Sequence, residues 1–180
     1  TMLFDIDPVD YRVPGLKEFV LVTRPQDRAQ AKRAAVRARL PRKIKILFAD
    51  GGARRQDSVM NGLRGTSEAC GIVMIHDGAR PFPAPEAIAK AIALAHERGG
   101  AILATPVRDT VKRELDHHLI PLAQQVSGQN LGTPESLNGT HIIGKTVPRK
   151  GLWLAQTPQV FRRSMLLEMF ERFQREAPGE

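Results

Sequence analysis

Residues 72–81 read Ile72-Val73-Met74-Ile75-His76-Asp77-Gly78-Ala79-Arg80-Pro81, and the fold turns on how they are taken. Four apolar residues in a row, three of them β-branched, have the pattern of a strand buried on both faces, which is how parallel strands read. The run then breaks on an acid, two small residues, an arginine and a proline. In an open α/β sheet, ligands sit just beyond the carboxyl ends of the strands. Small residues at that place let a ligand approach the backbone, and an acid beside an arginine can handle a metal ion, a hydroxyl and a phosphate. A tight turn with a surface ion pair accounts for the seven residues Ile75 to Pro81 equally well, so the decision passes to the neighbouring stretches.

On the N-terminal side, Glu18 to Val22 reads as a strand, followed by a helix from Pro25 to about Leu40 with Pro25 and Asp27 in its first turn. Lys45 to Phe48 is a second strand, Gly51-Gly52 a break, and Arg55 to Leu63 a helix with Val59 and Leu63 on one face. On the other side, Pro85 to Arg98 is a helix with apolar Ile88, Ile92 and Ala95 and a Gly99-Gly100 stop. Ala101 to Ala104 is a fourth strand. Strands alternating with helices predict an α/β fold with a doubly wound, mainly parallel, Rossmann-like sheet, in a single domain over residues 1–180. Past Arg113 the pattern changes, and Leu122 to Asn138, rich in Gln, Ser, Gly and Asn, reads as an extended, mobile excursion. Trp153 and Phe161 are assigned to the core. A last amphipathic helix, Arg162 to Arg175, is expected to turn Met165, Leu166, Met169, Phe170 and Phe173 inward.

The totals narrow the function. The 180 residues are 42% hydrophobic and 26% charged, ordinary for a globular chain. No apolar run approaches the ~20 residues that span a bilayer, and no signal-peptide pattern opens the chain. The one cysteine, Cys70, excludes internal disulfides and a cysteine-based zinc site, so a cytoplasmic location and no membrane are expected. The net charge is +8, much of it between Arg28 and Lys45, where the basic residues fall at several helical angles rather than in one stripe. With aromatics at 5%, stacking platforms for single strands are lacking, and no nucleic-acid partner is expected. A basic protein that handles phosphorylated small molecules fits better.

Three further stretches carry chemistry. In Gly51-Gly52-Ala53-Arg54-Arg55-Gln56-Asp57-Ser58-Val59-Met60-Asn61-Gly62-Leu63, paired glycines bring backbone amides close to a planar base or a phosphate, and the helix start adds positive potential. Ser58 lies where it can hydrogen-bond a base edge, although an ordinary strand–helix turn also explains the glycines. In Pro106-Val107-Arg108-Asp109-Thr110-Val111-Lys112, Thr110 and Lys112 alternate in an extended chain, and a hydroxyl and an ammonium on one side suit a phosphate monoester. An edge strand with a surface lysine gives the same letters. In Arg149 to Phe161, Gln156, Thr157 and Gln159 surround a proline that stiffens what reads as a loop, which favours fixed placement of polar groups.

Taken in order, GGARRQDSVMNGL, HDGARP, PVRDTVK and RKGLWLAQTPQVF resemble the 2-C-methyl-D-erythritol 4-phosphate cytidylyltransferase family over roughly Lys17 to Phe173. Each phrase is modest alone; four at this spacing are highly specific. The resemblance implies transfer of a cytidylyl group from CTP to methylerythritol phosphate with Mg2+ present and pyrophosphate released. It implies that Gly52 and Ser58 contact the cytosine, and Asp77 and Gly78 the ribose and phosphate region. Arg80, Thr110 and Thr157 would line the acceptor pocket, with Lys112 beside them, and Arg149 would position the acceptor phosphate for in-line attack. It also implies a homodimer, with an extended β-arm at about residues 113–150 carrying Arg149 to the partner. The metal ligands are not specified. Positioning and cancellation of charge suit the residue types, since nucleotidyl transfer needs no protein nucleophile.

The pattern also departs from the family. Nothing in Thr1 to Gly15 matches the family's opening strand and Gly-rich triphosphate loop, and the sequence reaches Glu180 without its closing lysine-bearing strand. The expectation is that segments of a longer chain are missing, with seams within Asp5 to Arg12 and Leu122 to Thr140, because a sheet without its first strand would expose its centre. Gly78 stands where the family has alanine, and Ala53 where some members have an acid. Two other readings remain: a nucleotide- or sugar-phosphate-binding module without catalysis, and a cytidylyltransferase for another polyol phosphate such as ribitol 5-phosphate.

Overall fold

The computed structural model describes residues 16–38, 44–80, 83–115 and 141–176. Pro81, most of the predicted excursion and the predicted seams lie outside the described residues. The chain divides into two compact units, one of Thr1–Ala104 with Ala155–Glu180, the other of Thr105–Leu154.

In the first unit, β1 (Glu18–Thr23) runs parallel to β2 (Lys45–Asp50), in register from Glu18 opposite Lys45 to Thr23 opposite Asp50. A 3-10 turn at Pro25–Asp27 leads into α1 (Arg28–Arg37), which buries only Ala31. The part of the basic run from Arg28 to Arg37 is therefore a solvated helix, with the Lys32 ammonium 5.9 Å from the centre of the Phe48 ring, whereas Lys45 opens β2 and residues 39–43 lie outside the described residues. α2 (Arg55–Arg64) follows β2 and lies against β1, where a side chain at Gly62 would meet Val22 Cγ2 at 2.8 Å. That glycine is what lets helix and strand approach.

The strand of residues 72–75, β3 (Ile72–Ile75), pairs antiparallel with β7 (Trp153–Arg162), from Ile72 opposite Arg162 to Ile75 opposite Gln159. The prediction of a parallel strand is overturned. A continuous apolar run reports burial on two faces, and both faces are covered here. Val73, Ile75 and Phe161 pack with Met60 and Leu63 of α2 and Leu166 of α4 (Arg163–Glu176). Ile72, Met74 and Val160 pack on the other side with Ala91 and Ala95 of α3 (Pro85–Arg98). The third strand of this sheet, on the far side of β7, is β4 (Gly100–Pro106).

β7 itself is the second correction, because residues 156–159 read as a loop around a proline. A proline cannot donate to a ladder. The pairing with β3 starts at Gln159, just past Pro158, so the missing N–H costs that ladder nothing. The Thr157–Pro158 peptide is cis and Pro158 is fully buried. Trp153, expected in the core, opens β7 before the residues paired with β3 and is 62% exposed. Phe161 does join the core. On α4 the inward face is Leu166, Leu167 and Phe170, whereas Met165, Met169 and Phe173 form an adjacent stripe left partly open, Met169 to 54%.

The second unit holds β5 (Val111–Glu114) and β6 (Ile143–Val147), paired antiparallel, with Lys112 opposite Thr146 and a register shift at Arg113/Glu114. The β1–β2 pair is thus parallel and the β3–β7 and β5–β6 pairs are antiparallel, in a mixed α/β fold.

Candidate functional site

The glycine turn is built by α2. The Asp57 carboxylate accepts the Arg54 backbone N–H at 3.0 Å, which occupies one end of the helix's free amide set. The Arg54 guanidinium binds the same carboxylate at 3.0 and 3.2 Å. That bond, with the backbone one, holds the Asp57 carboxyl below the usual carboxylate range. The Ser58 hydroxyl donates to the Arg54 carbonyl at 3.3 Å and accepts the Gly52 N–H at 3.0 Å. The Gly51 N–H donates to the Thr23 carbonyl at 2.8 Å, and Asn61 Nδ2 to the Asp50 carbonyl at 2.9 Å. Both glycines are therefore pinned where the parallel strands end. A Cβ on Gly52 would lie 2.2 Å from the Asp57 Cβ, so no larger residue fits.

The end of β3 supplies the acid. The Asp77 N–H donates to Thr157 Oγ1 at 3.2 Å, tying the strand end to β7. Asp77 Oδ1 takes an ion pair from Arg55 Nη2 at 3.1 Å, and Asp77 Oδ2 faces Arg80 Nε at 3.8 Å. The Arg80 guanidinium also donates to Gln156. The Arg80 N–H closes the turn onto the Asp77 carbonyl at 3.0 Å. His76 Nε2 is 2.7 Å from the Arg80 carbonyl, which can only accept, so the ring proton of neutral His76 sits on Nε2. Nδ1 is buried and without a partner.

Of the predicted residues, the first unit thus brings together Asp77, Arg80 and Thr157, with Gly78 exposed in the turn between. Gly52 and Ser58 bond to each other, and Arg55 of their helix reaches Asp77. Thr110, Lys112 and Arg149 belong to the second unit. Thr110 is exposed just before β5, Lys112 Nζ donates to Thr146 Oγ1 at 2.7 Å, and the Arg149 guanidinium donates to the Arg108 carbonyl. Arg149 opens a turn closed by Leu152 N–H to its carbonyl at 3.0 Å, with Gly151 at φ 84°, where a side chain would strain the backbone.

Sequence reasoning missed Arg55, Gln156 as a partner of Arg80, and His76 as the brace of the turn. The letters were in view, but no spacing rule links positions 55 and 77 or 80 and 156. Among the described residues no group of three or more His, Cys, Asp or Glu side chains is placed to hold a metal ion.

An acid flanked by two arginines at a strand end, beside a glycine turn on a helix start, is an arrangement chemically suited to phosphorylated ligands. The comparisons are more specific. The profile of the family described as 2-C-methyl-D-erythritol 4-phosphate cytidylyltransferase matches residues 10–134, and the chain belongs to that family. It is similar to the bifunctional enzyme IspD/IspF of Anaeromyxobacter sp., at 45% identity over 67% of this chain and 26% of that protein. The 2-C-methyl-D-erythritol 4-phosphate cytidylyltransferase of Shouchella clausii is 43% identical over 72% of the chain and 45% of its own length. A crystal structure of 4-diphosphocytidyl-2C-methyl-D-erythritol synthase from Anaerococcus prevotii superposes with a TM-score of 0.68 at 25% identity, over 92% of this chain and 61% of that one. The chain spans less than two thirds of the length of these relatives.

Proposed function

We propose that this chain serves transfer of a cytidylyl group from CTP to 2-C-methyl-D-erythritol 4-phosphate, with release of pyrophosphate. An oxygen of the acceptor phosphate bonds to the α-phosphorus of CTP, the bond from that phosphorus to the bridging oxygen breaks, and its electron pair leaves on pyrophosphate. The observation that carries this reading is the Arg55–Asp77–Arg80 cluster at the end of β3, in a chain of this family. Gly52 and Ser58 are the base side, Asp77 and Gly78 the ribose and phosphate region. Arg80 and Thr157 with Thr110 and Lys112 serve the acceptor, and Arg149 aligns its phosphate. The protein's task is alignment and charge cancellation, for which arginine forks suit phosphates.

Mg2+ is characteristically held through one or two carboxylates together with substrate phosphates. Asp77 is the carboxylate this site offers, so the residues fit an ion that arrives on the triphosphate. Bound there it would withdraw charge from the phosphates. A doubly wound sheet, a homodimer joined by a β-arm near residues 113–150, and action in the cytoplasm complete the proposal. Among the described residues no helix is long and apolar enough to cross a membrane.

Pyrophosphate release with CTP and Mg2+, with methylerythritol phosphate present or omitted, tests the reading. Release that needs the methylerythritol phosphate supports it. Release with ribitol 5-phosphate instead reassigns the acceptor, and CTP binding without release leaves a non-catalytic module.

A further inference from the structure

We propose that Arg55 binds phosphate on the nucleotide side of the site, and that its ion pair with Asp77 is what the nucleotide displaces. The inference rests on the cytidylyl reading and adds to it a residue and a division of labour. Asp77 has one carboxylate and two arginines, Oδ1 to Arg55 at 3.1 Å and Oδ2 to Arg80 at 3.8 Å. The cluster therefore carries one surplus positive charge, which an anion would complete. The two arginines come from opposite directions. Arg55 is the first residue of α2, three positions past Gly52, so its side chain runs from the glycine turn to the strand end. Arg80 reaches instead to Gln156 on β7, next to Thr157. Asp77 thus stands as a divider, with a base-side arginine on one oxygen and an acceptor-side arginine on the other.

The neighbouring Arg54 is not the residue that does this. It is committed to Asp57, which accepts its guanidinium and its backbone N–H together. The Arg55–Asp77 pair joins side chains that are 56% and 39% exposed. Such exposed pairs are weak and exchangeable. A polyphosphate presents more charge than one carboxylate and matches the planar guanidinium fork, so it takes Arg55 from Asp77. Asp77 then has an oxygen free to accept a ribose hydroxyl.

The test is titration calorimetry of the full chain with CTP, inorganic pyrophosphate and methylerythritol phosphate, each alone, for the native protein, Arg55→Ala and Arg55→Lys. Arg55→Ala is expected to weaken CTP and pyrophosphate about tenfold or more, the scale of one charge-assisted contact, and to leave methylerythritol phosphate within about twofold. Arg55→Lys should restore part of the loss, since it returns the charge without the fork. A residue that merely tethers the Asp77 turn would weaken all three ligands alike, and that result overturns the proposal. So does unchanged pyrophosphate affinity in Arg55→Ala, or a native protein that does not bind pyrophosphate. Should Arg55→Ala melt early by circular dichroism, Arg55→Gln keeps the packing stem and is read the same way. Pyrophosphate binding that depends on Arg55, without any response to CTP, would sink the cytidylyl reading and leave the role of Arg55 standing.

Discussion

At the scale of single residues, the site depends on atoms that have no room or no alternative. Gly52 is the plainest case, because a methyl group there collides with the Asp57 side chain and backbone. Gly52→Ala is expected to cost roughly 1–3 kcal/mol, as overpacking does, and a urea melt would measure it. An unchanged midpoint would mean that the turn shifts freely. His76 makes a different kind of demand. Its Nε2–H holds the Arg80 carbonyl, so a substitute must donate from that position. The amide of His76→Gln reaches about as far as Nε2, whereas that of His76→Asn corresponds to Nδ1. Binding of methylerythritol phosphate should therefore survive in the Gln variant and fall in the Asn variant. Equal loss in both would remove His76 from the account of Arg80. Cys70 is set apart from this chemistry. Desolvation, with Glu18 nearby, raises its thiol above the usual range, and the thiol donates to the Ile72 carbonyl. Alkylation of the folded protein at pH 8 should be much slower than after denaturation, because the thiolate is the reactive form.

At the scale of elements, α2 is the piece on which the base side hangs, and Asp57 anchors it. The folded carboxyl titrates below its unfolded value. Its stabilisation is therefore fully present above the unfolded value of about 4 and is lost as pH falls through the lower, folded one. Asp57→Asn should melt below the native protein at pH 7, and the gap should close as pH drops under about 4. A gap that persists there would point to packing rather than charge. The elements also show what a sequence discloses. The boundaries of α2 and α3 were legible because glycine, proline and apolar spacing are local signals that tertiary packing did not contradict. β7 was not, since a buried proline among Gln and Thr looks like a loop until its neighbours are known. Direction was misread in β3, because two covered faces give the same letters in either orientation.

At the scale of the molecule, four short phrases sufficed to indicate the family, whereas pairings such as Arg55 with Asp77 exist only once the chain is folded. The largest claim still to be tested is how sites are shared between copies. In the proposed dimer the arm carries Arg149 to the partner, so each active site takes Arg80 from one chain and Arg149 from the other. Arg80→Ala and Arg149→Ala would each disable both sites of their own homodimer. In a mixed dimer, one site collects both defects and the other collects none. Random reassortment of equal amounts makes half of the dimers mixed, so activity should return to about a quarter of the native value. Unfolding and refolding the two variants together, with separately refolded samples as controls, measures this by pyrophosphate release. No recovery, with native activity regained under the same refolding, would place Arg80 and Arg149 of the same chain in one site and remove the reason for an exchanged arm.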